Sequence, residues 1–467
     1  MGDNGGNAMT ETISGLPLNI DPKILLGDVR ETLASLPNKS IHCVVTSPPY
    51  WGLRDYGTAT WVGGDPSCSH KRDSKFSESC STGQKLLEGA IGDGIYKVQC
   101  PRCGAMREDS QLGLEPTVDE YVEHMVQVFR EVHRVLRDDG TLWLNLGDSY
   151  AGSNGNGWKQ TIASTNASNA GGENEDFRAK IGRNDGDLKP KDLVGVPWRV
   201  AFALQADGWY LRQDIIWAKP NPMPESVRDR CTKAHEYMFL LTKKSHYFFD
   251  SEAIKEPAKY AYDDRGSRAD SRKEVGISNA MHGSTGAFRN KRSVWTVTTK
   301  PFKGAHFATF PQDLIEPCIV AGTSKKGCCA KCGSPVVRQV SRKRIARNEL
   351  PPNDPRYRPN DYNGAYGEIN GKGDAGFSQT DTIGWAKECK CDTKDIVPCT
   401  VLDVFFGAGT TGVVAQRLGR AYLGCELNPE YAKIATERLA SEREKNRLLA
   451  IENESQPSLF EVASDEE

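Results

Sequence analysis

Apolar and polar positions along this chain follow two alternating patterns. IHCVV, residues 41–45, is a continuous apolar run of the kind a strand buried on both faces shows, and KILLGD, Lys23 to Asp28, also reads as a strand. VDEYVEHMVQVFREVHRVL, Val118 to Leu136, carries its apolar residues at helical spacing, and GTLWLNLGD, Gly140 to Asp148, is strand-like again. The alternation returns through VPWRVAFALQADG, WYLRQDIIWAK and EYMFLLTK, and closes with VLDVFFGAGTTGVVAQRLGRAYLGCEL. Strands alternating with helices predict an α/β fold with a mostly parallel sheet covered by helices.

Three polar stretches interrupt that pattern. Thr58 to Ser110 holds Cys68, Cys80, Cys100 and Cys103; Ser251 to Arg292 is rich in charge, Gly and Ser; Cys328 to Cys391 contains RNELPPNDPRYRPNDYNGAYG. They divide the chain into core segments at 16–57, 113–250, 295–327 and 397–445, insertions at 58–112 and 328–396, a charged region at 251–294 and an acidic tail at 446–467 expected to be disordered. Composition agrees: of 467 residues only 38% are hydrophobic and mean hydropathy is -0.56, low for one compact core. A net charge of -2 argues against attachment to nucleic acid by bulk charge and leaves room for a local basic face. No apolar run is long enough to cross a bilayer, so no membrane partner is expected. MGDNGGNAMTETISG lacks a basic start and an apolar core, Gly6 stands where a myristoylation signal needs Ser or Thr, and the expected location is cytoplasmic.

Two stretches carry chemistry. TSPPYW, Thr46 to Trp51, leaves the apolar strand through a hydroxyl residue, two prolines and two aromatics. In VLDVFFGAGTTGVVAQRLGRAYLGCELNPEY a strand ends at Asp403, Gly407 and Gly409 allow a tight turn, and a helix follows. Such a turn brings a ligand against backbone N–H groups at a helix N-terminus. A second strand ends at Glu426, where a carboxylate can accept hydrogen bonds from ribose hydroxyls. Thr411-Gly412 displaces the third glycine of the dinucleotide fingerprint, which favours a single nucleoside.

TSPPYW together with DVFFGAGTT resembles the S-adenosylmethionine-dependent DNA methyltransferases of exocyclic amino groups. The catalytic motif lies N-terminal and the glycine motif C-terminal, as in the circularly permuted beta group. The resemblance implies a Rossmann-like core with a mixed, mostly parallel sheet, and the cysteine spacing adds zinc-binding insertions to it. Val404 and Ala408 depart from the family's usual Pro and Ser, a small change beside a backbone-mediated contact. The implied catalytic set is Ser47, Pro48, Pro49 and Tyr50, and the cofactor set is Asp28, Phe307, Thr309, Asp403, Phe405, Gly407, Gly409, Thr410 and Glu426. Asp28 also suits a helix N-cap, and Phe307 and Thr309 also suit a core segment that opens a helix at Pro311. The implied partner is double-stranded DNA; a cognate restriction endonuclease and a homodimer are compatible with it.

An exocyclic amino group is a poor nucleophile and is unreachable inside a duplex, so the base must be flipped out. Tyr50 offers it a stacking face, while the Ser47 hydroxyl and the Pro48 carbonyl offer acceptors for the amino group. Proline fixes φ and has no N–H to compete for those acceptors. T-S-P-P-Y resembles the cytosine-N4 group; adenine N6 is the alternative.

The cysteines form two sets with zinc-like spacing. Cys68-Ser-His70 with Cys100-Pro-Arg-Cys103-Gly is one, and Cys329-Ala-Lys-Cys332-Gly with Cys389-Lys-Cys391 is the other, with Cys328 a substitute. Four protein ligands leave no open position, so both sites are expected to be structural. Basic residues concentrate in Ser251 to Arg292, where the family places target recognition, and in RQVSRKRIAR, Arg338 to Arg347. A zinc-dependent nucleic-acid-binding module without catalysis is the competing class, and the intact TSPPY and glycine motifs favour the enzyme.

Overall fold

The computed structural model describes residues 22–52, 56, 58–70, 99–151, 188–189, 191–257, 288–300, 309–345, 351–352 and 377–455. The chain divides into two compact units. The larger comprises Pro22–Phe249, Arg292–Gly322 and Thr400–Glu467, and the smaller comprises Met1–Asp21, Asp250–Lys291 and Thr323–Cys399. Of the three interruptions, the first therefore stays within the larger unit, while most of the other two falls in the smaller.

Among the described residues, the main sheet of the larger unit has eight strands: β1 Lys23–Leu26, β2 Ile41–Thr46, β3 Leu136–Leu146, β4 Tyr210–Ala218, β5 His235–Thr242, β6 Val294–Thr296, β7 Thr400–Asp403 and β8 Ala421–Glu426. Their order across the sheet is β1-β8-β7-β2-β3-β5-β4-β6. All neighbours run parallel except at β5, which is antiparallel to both β3 and β4. The result is the mixed, mostly parallel sheet that the family resemblance implies. Every residue of β2, β7 and β8 is buried, as central strands covered on both faces must be. His42 keeps its place in that core because its Nδ1 accepts the Thr400 N–H at 3.1 Å.

Helices α1 Val29–Ala34, α2 Val118–Val135, α3 Val196–Ala206, α4 Gln312–Gly322, α5 Thr410–Arg417 and α6 Pro429–Ser455 belong to the same unit. In α2, Val118, Tyr121, Met125, Val128, Phe129, Val132 and Val135 form the buried stripe that the spacing predicts, and Thr117 caps its first turn through the Glu120 N–H at 3.2 Å. Two boundaries differ from the sequence reading. Strand β3 starts at Leu136, four residues before Gly140, and an Arg137–Asp139 ion pair at 2.8 Å occupies the polar stretch. Helix α4 continues through Pro317, since the buried Leu314, Ile315, Cys318 and Ile319 outweigh the backbone bond that proline removes.

In the smaller unit, Val336–Ile345 pairs antiparallel with Phe377–Lys387, Cys328–Cys329 with Ile396–Val397, and Glu256–Pro257 with Phe288–Arg289. Among the described residues no helix is long and apolar enough to cross a membrane.

Candidate active site

Strands β7 and β2 are neighbours, and the connections that leave them diverge, from β7 through α5 to β8 and from β2 through α2 to β3. Such a divergence opens a crevice at the C-terminal ends of the strands. Ser47–Tyr50 leaves β2 at that point and the glycine turn leaves β7 there, so the permuted motif order is restored in space. Thr46 Oγ1 donates to Asp403 Oδ1 at 2.7 Å and ties the two strand ends together.

The glycine turn is shaped by backbone geometry. Gly407 and Gly409 have φ of 51° and 76°, in the left-handed region that glycine adopts without strain. Open space surrounds the place a Gly407 Cβ would occupy, whereas one on Gly409 would lie 2.9 Å from Ala435 Cβ. Gly409 is the N-cap of α5, and the buried Thr410 begins the helix. Arg438 holds the turn from beneath, donating to the Ala408 carbonyl and, at 3.3 Å, to Thr410 Oγ1.

Three carboxylates stand at adjacent strand ends. Glu426, closing β8, accepts the Gly407 N–H at 2.6 Å on one oxygen and the Asn428 N–H at 2.8 Å on the other. Burial raises its pKa against the lowering effect of those amides. Asp28, just past β1, caps α1 through the Arg30 N–H at 2.8 Å and pairs with the Arg30 guanidinium at 2.7 Å. Partial burial pushes its carboxyl up, but the bonds to Arg30 prevail and the pKa is lowered. Asp403 differs from the ligand-facing residue the sequence suggests. It is 1% exposed, and its oxygens face Thr46 Oγ1, the Phe405 N–H at 3.1 Å and Thr411 Oγ1 at 2.7 Å, so it joins the two motifs from below. Burial pushes its pKa up to about 7.

On the other side of the crevice, Pro48 is buried and Ser47, Pro49 and Tyr50 are half-buried. The Tyr50 hydroxyl lies 2.7 Å from Glu236 Oε2, 3.1 Å from Asn145 Oδ1 and 3.5 Å from Ser47 Oγ. Burial and the nearby Glu236 carboxylate raise its pKa well above the usual phenol value, which keeps it a hydrogen-bond donor. Glu236 also pairs with Lys219, whose ammonium lies 4.3 Å from the centre of the Trp217 ring. Tyr121 of α2 donates to the Pro49 carbonyl at 2.9 Å, and Trp51 Nε1 donates to the Glu115 carbonyl at 2.9 Å.

The DNA methylase family matches residues 41–330 and 399–437. This chain belongs to the S-adenosylmethionine-dependent DNA amino-methyltransferases. It is 36% identical over 429 residues to the type II methyltransferase M.Cfr9I of Citrobacter freundii, covering 91% of this chain and 90% of that one. It is 35% identical over 421 residues to M.SmaI of Serratia marcescens, covering 90% and 91%. Among solved structures, it is similar to the cytosine-N4-specific PvuII DNA methyltransferase, with a TM-score of 0.42, 15% identity and coverage of 91% and 90%. A Thermus thermophilus protein described as a putative DNA modification methylase, solved with S-adenosylmethionine, gives 0.39, 18%, 90% and 94%.

Within this methyltransferase, the structure brings Asp28, Glu426, Phe405, the glycine turn and Ser47–Tyr50 to one edge of the sheet. Thr309 is half-buried ahead of α4, and Phe307 lies outside the described residues. Sequence reasoning missed Asn145, Gly147, Lys219 and Glu236. A Cβ on Gly147 would come within 2.5 Å of the Tyr50 ring, so only glycine fits beside it. The available signal was polar residues and a glycine at the ends of apolar strands, in LNLGD and HEYMFLL; the reversal of β5 puts its first residues beside the last of β3. In the smaller unit, the basic run is partly structural: Arg338 pairs with the buried Asp250 at 2.8 Å and lies 4.5 Å from the Trp385 ring centre, while Arg342 and Lys343 are exposed. Most of the charged region, 258–287, lies outside the described residues.

Proposed function

We propose that this enzyme methylates N4 of cytosine at a specific site in double-stranded DNA. The observation that carries this reading is the meeting of Ser47–Tyr50 with the glycine turn at adjoining strand ends, joined by the Thr46–Asp403 bond of 2.7 Å.

The crevice has the features a nucleoside-bearing cofactor needs: an open approach over Gly407, the N-terminus of α5, and carboxylates at the ends of β8 and β1. Gly407, Gly409, Thr410, Phe405 and Glu426 would hold S-adenosylmethionine, with Asp28 at the adenine side and Thr309 toward the methionine end. When bound, it supplies a methyl carbon on a sulfonium, which departs as a neutral thioether. The chain's own task is then positioning and electrostatics. A flipped base stacks on Tyr50, whose hydroxyl is fixed by Glu236 and whose ring is flanked by Gly147. Ser47 Oγ and the Pro48 carbonyl accept from the amino group and offset positive charge that develops on its nitrogen. The exposed Arg342 and Lys343 suit phosphate contact, which sets register without reading bases.

Cytosine is favoured over adenine because Ser47 begins the P-P-Y motif. A neutral hydroxyl accepts a weaker hydrogen bond than a carboxylate, and T-S-P-P-Y resembles the cytosine-N4 group. A restriction endonuclease for the same DNA site is the partner this reading implies, in keeping with the type II names of the relatives. Mass analysis of nucleosides from DNA treated with the protein should reveal N4-methylcytosine; N6-methyladenine alone would overturn the choice of base. Ser47→Ala should slow methyl transfer by roughly 100-fold and leave cofactor affinity nearly unchanged.

A further inference from the structure

The two Cys-x-x-Cys-Gly turns lie in different units and have the same backbone geometry. In the first, Gly104 N–H donates to the Cys100 carbonyl at 2.8 Å and Cys100 N–H donates to the Ala105 carbonyl at 2.8 Å. In the second, Gly333 N–H donates to the Cys329 carbonyl at 2.8 Å and Cys329 N–H to the Ser334 carbonyl at 2.9 Å. The glycines have φ of 74° and 69°. In both, the second cysteine's sulfur receives the N–H of the residue two further on, Ala105 or Ser334.

Each turn faces a second pair of ligands, and within each set of four all ligand atoms lie within 4.8 Å of one another. In the first set, Cys68 Sγ is 3.7 Å from Cys100 Sγ, and Cys103 Sγ is 3.6 Å from His70 Nδ1. A tetrahedral zinc with bonds of about 2.3 Å to sulfur and about 2.05 Å to nitrogen has edges of about 3.8 Å between sulfurs and about 3.6 Å from sulfur to nitrogen. A disulfide would need about 2.05 Å. His70 has φ of 52°, unusual for a residue with a Cβ, and its ring stacks on Trp61 at 4.3 Å and 12°, which directs Nδ1 at Cys103. The paired strands of this module, Thr60–Val62 and Met106–Glu108, bury none of their residues fully, so little apolar core is available to fold it. In the second set, Cys329 rather than Cys328 belongs to the cluster; the Cys328 thiol is directed at the Val397 carbonyl, 3.5 Å away.

We propose that the chain holds two structural zinc ions, one on Cys68, His70, Cys100 and Cys103 and one on Cys329, Cys332, Cys389 and Cys391, and that the first braces the loop carrying Tyr50. That module departs directly from the loop and returns beside it. Gly52 N–H donates to the Gly113 carbonyl at 2.8 Å, Tyr56 N–H to Gln111 Oε1 at 2.6 Å, and Thr58 Oγ1 to Asp109 Oδ1 at 2.9 Å. Gly113 is so close that a Cβ there would lie 3.0 Å from the Tyr50 carbonyl oxygen and 3.2 Å from that of Pro49. The bracing role rests on reading Ser47–Tyr50 as the base-holding loop; the metal sites do not.

Elemental analysis of the full chain purified without chelator should find two zinc ions per chain, with Cys100→Ala and Cys332→Ala each lacking one. Zinc-free native protein, or two ions retained in the double variant, would overturn the sites. Cobalt substitution of the native chain tests the same claim without a variant: the visible bands of tetrahedral thiolate-bound cobalt should appear, and their absence overturns it. Cys103→Ala should lower methyl transfer by about tenfold or more while S-adenosylmethionine affinity stays within about twofold. Unchanged transfer, or equal loss of affinity and transfer, would overturn the bracing. A native chain with two zinc ions and no methyl transfer would instead refute the proposed function alone.

Discussion

Asp403 shows how one buried residue can serve two motifs at once. The single Thr411 hydroxyl proton has two acceptors in reach, Asp403 Oδ2 at 2.7 Å and the Val45 carbonyl at 3.3 Å. A protonated Asp403 resolves the conflict by donating from Oδ2 to Thr411, which then donates to Val45. With a pKa raised to about 7 by burial, against the lowering effect of its hydrogen bonds and with Glu426 adding a smaller push upward, the neutral form is the one the fold favours. The contribution to stability is fully present below the unfolded value near 4 and is lost as pH rises through about 7; its size is on the order of 4 kcal/mol at about 1.4 kcal/mol per pKa step. Asp403→Asn keeps a donor toward Thr411 and an acceptor toward Thr46. Urea unfolding at pH 5 and pH 8 should therefore show a smaller loss of stability in Asp403→Asn than in the native chain. An equal loss in both would reject a neutral Asp403. None of this was legible in DVFFGAGTT: the motif marks a strand end, but the partner Thr46 lies 357 residues away.

The elements that hold the site were legible where local pattern governs and hidden where pairing governs. The apolar run of β2, the stripe of α2 and the glycine turn before α5 each follow from neighbouring residues. Asn145 and Glu236 meet only because β5 runs against β3, a choice no local spacing encodes. The strand pair Val336–Ile345 and Phe377–Lys387 lies in a stretch that reads as a polar insertion, since the sequence between the two strands is rich in Pro, Asn and Gly. Gly147, at the end of β3, tests how closely the sheet edge fits the loop. Gly147→Ala should push the Tyr50 ring aside and reduce methyl transfer by about 100-fold with cofactor affinity preserved. A rate within about twofold of native would mean the ring has room to move.

At the scale of the molecule, the cofactor crevice is assembled from both early and late parts of the chain. A ligand held between β1, β2, β7 and β8 should lock them together, adding about 2.7 kcal/mol at a concentration about 100 times Kd. Calorimetry should show S-adenosylmethionine raising Tm. Gly409→Val should abolish the rise, because φ of 76° and a Cβ 2.9 Å from Ala435 distort the turn. A rise of native size in that variant would remove the ligand from this crevice.

The 357-residue separation of Thr46 and Asp403 also sets the timetable of synthesis. At roughly 5 to 20 residues per second, a ribosome takes roughly 20 to 70 s to pass from one to the other. Throughout that interval β2, whose residues are all buried in the finished fold, lacks the neighbour that covers one of its edges. The nascent chain therefore presents a sticky strand to chaperones long before it can engage its cofactor, and faster translation shortens that exposure.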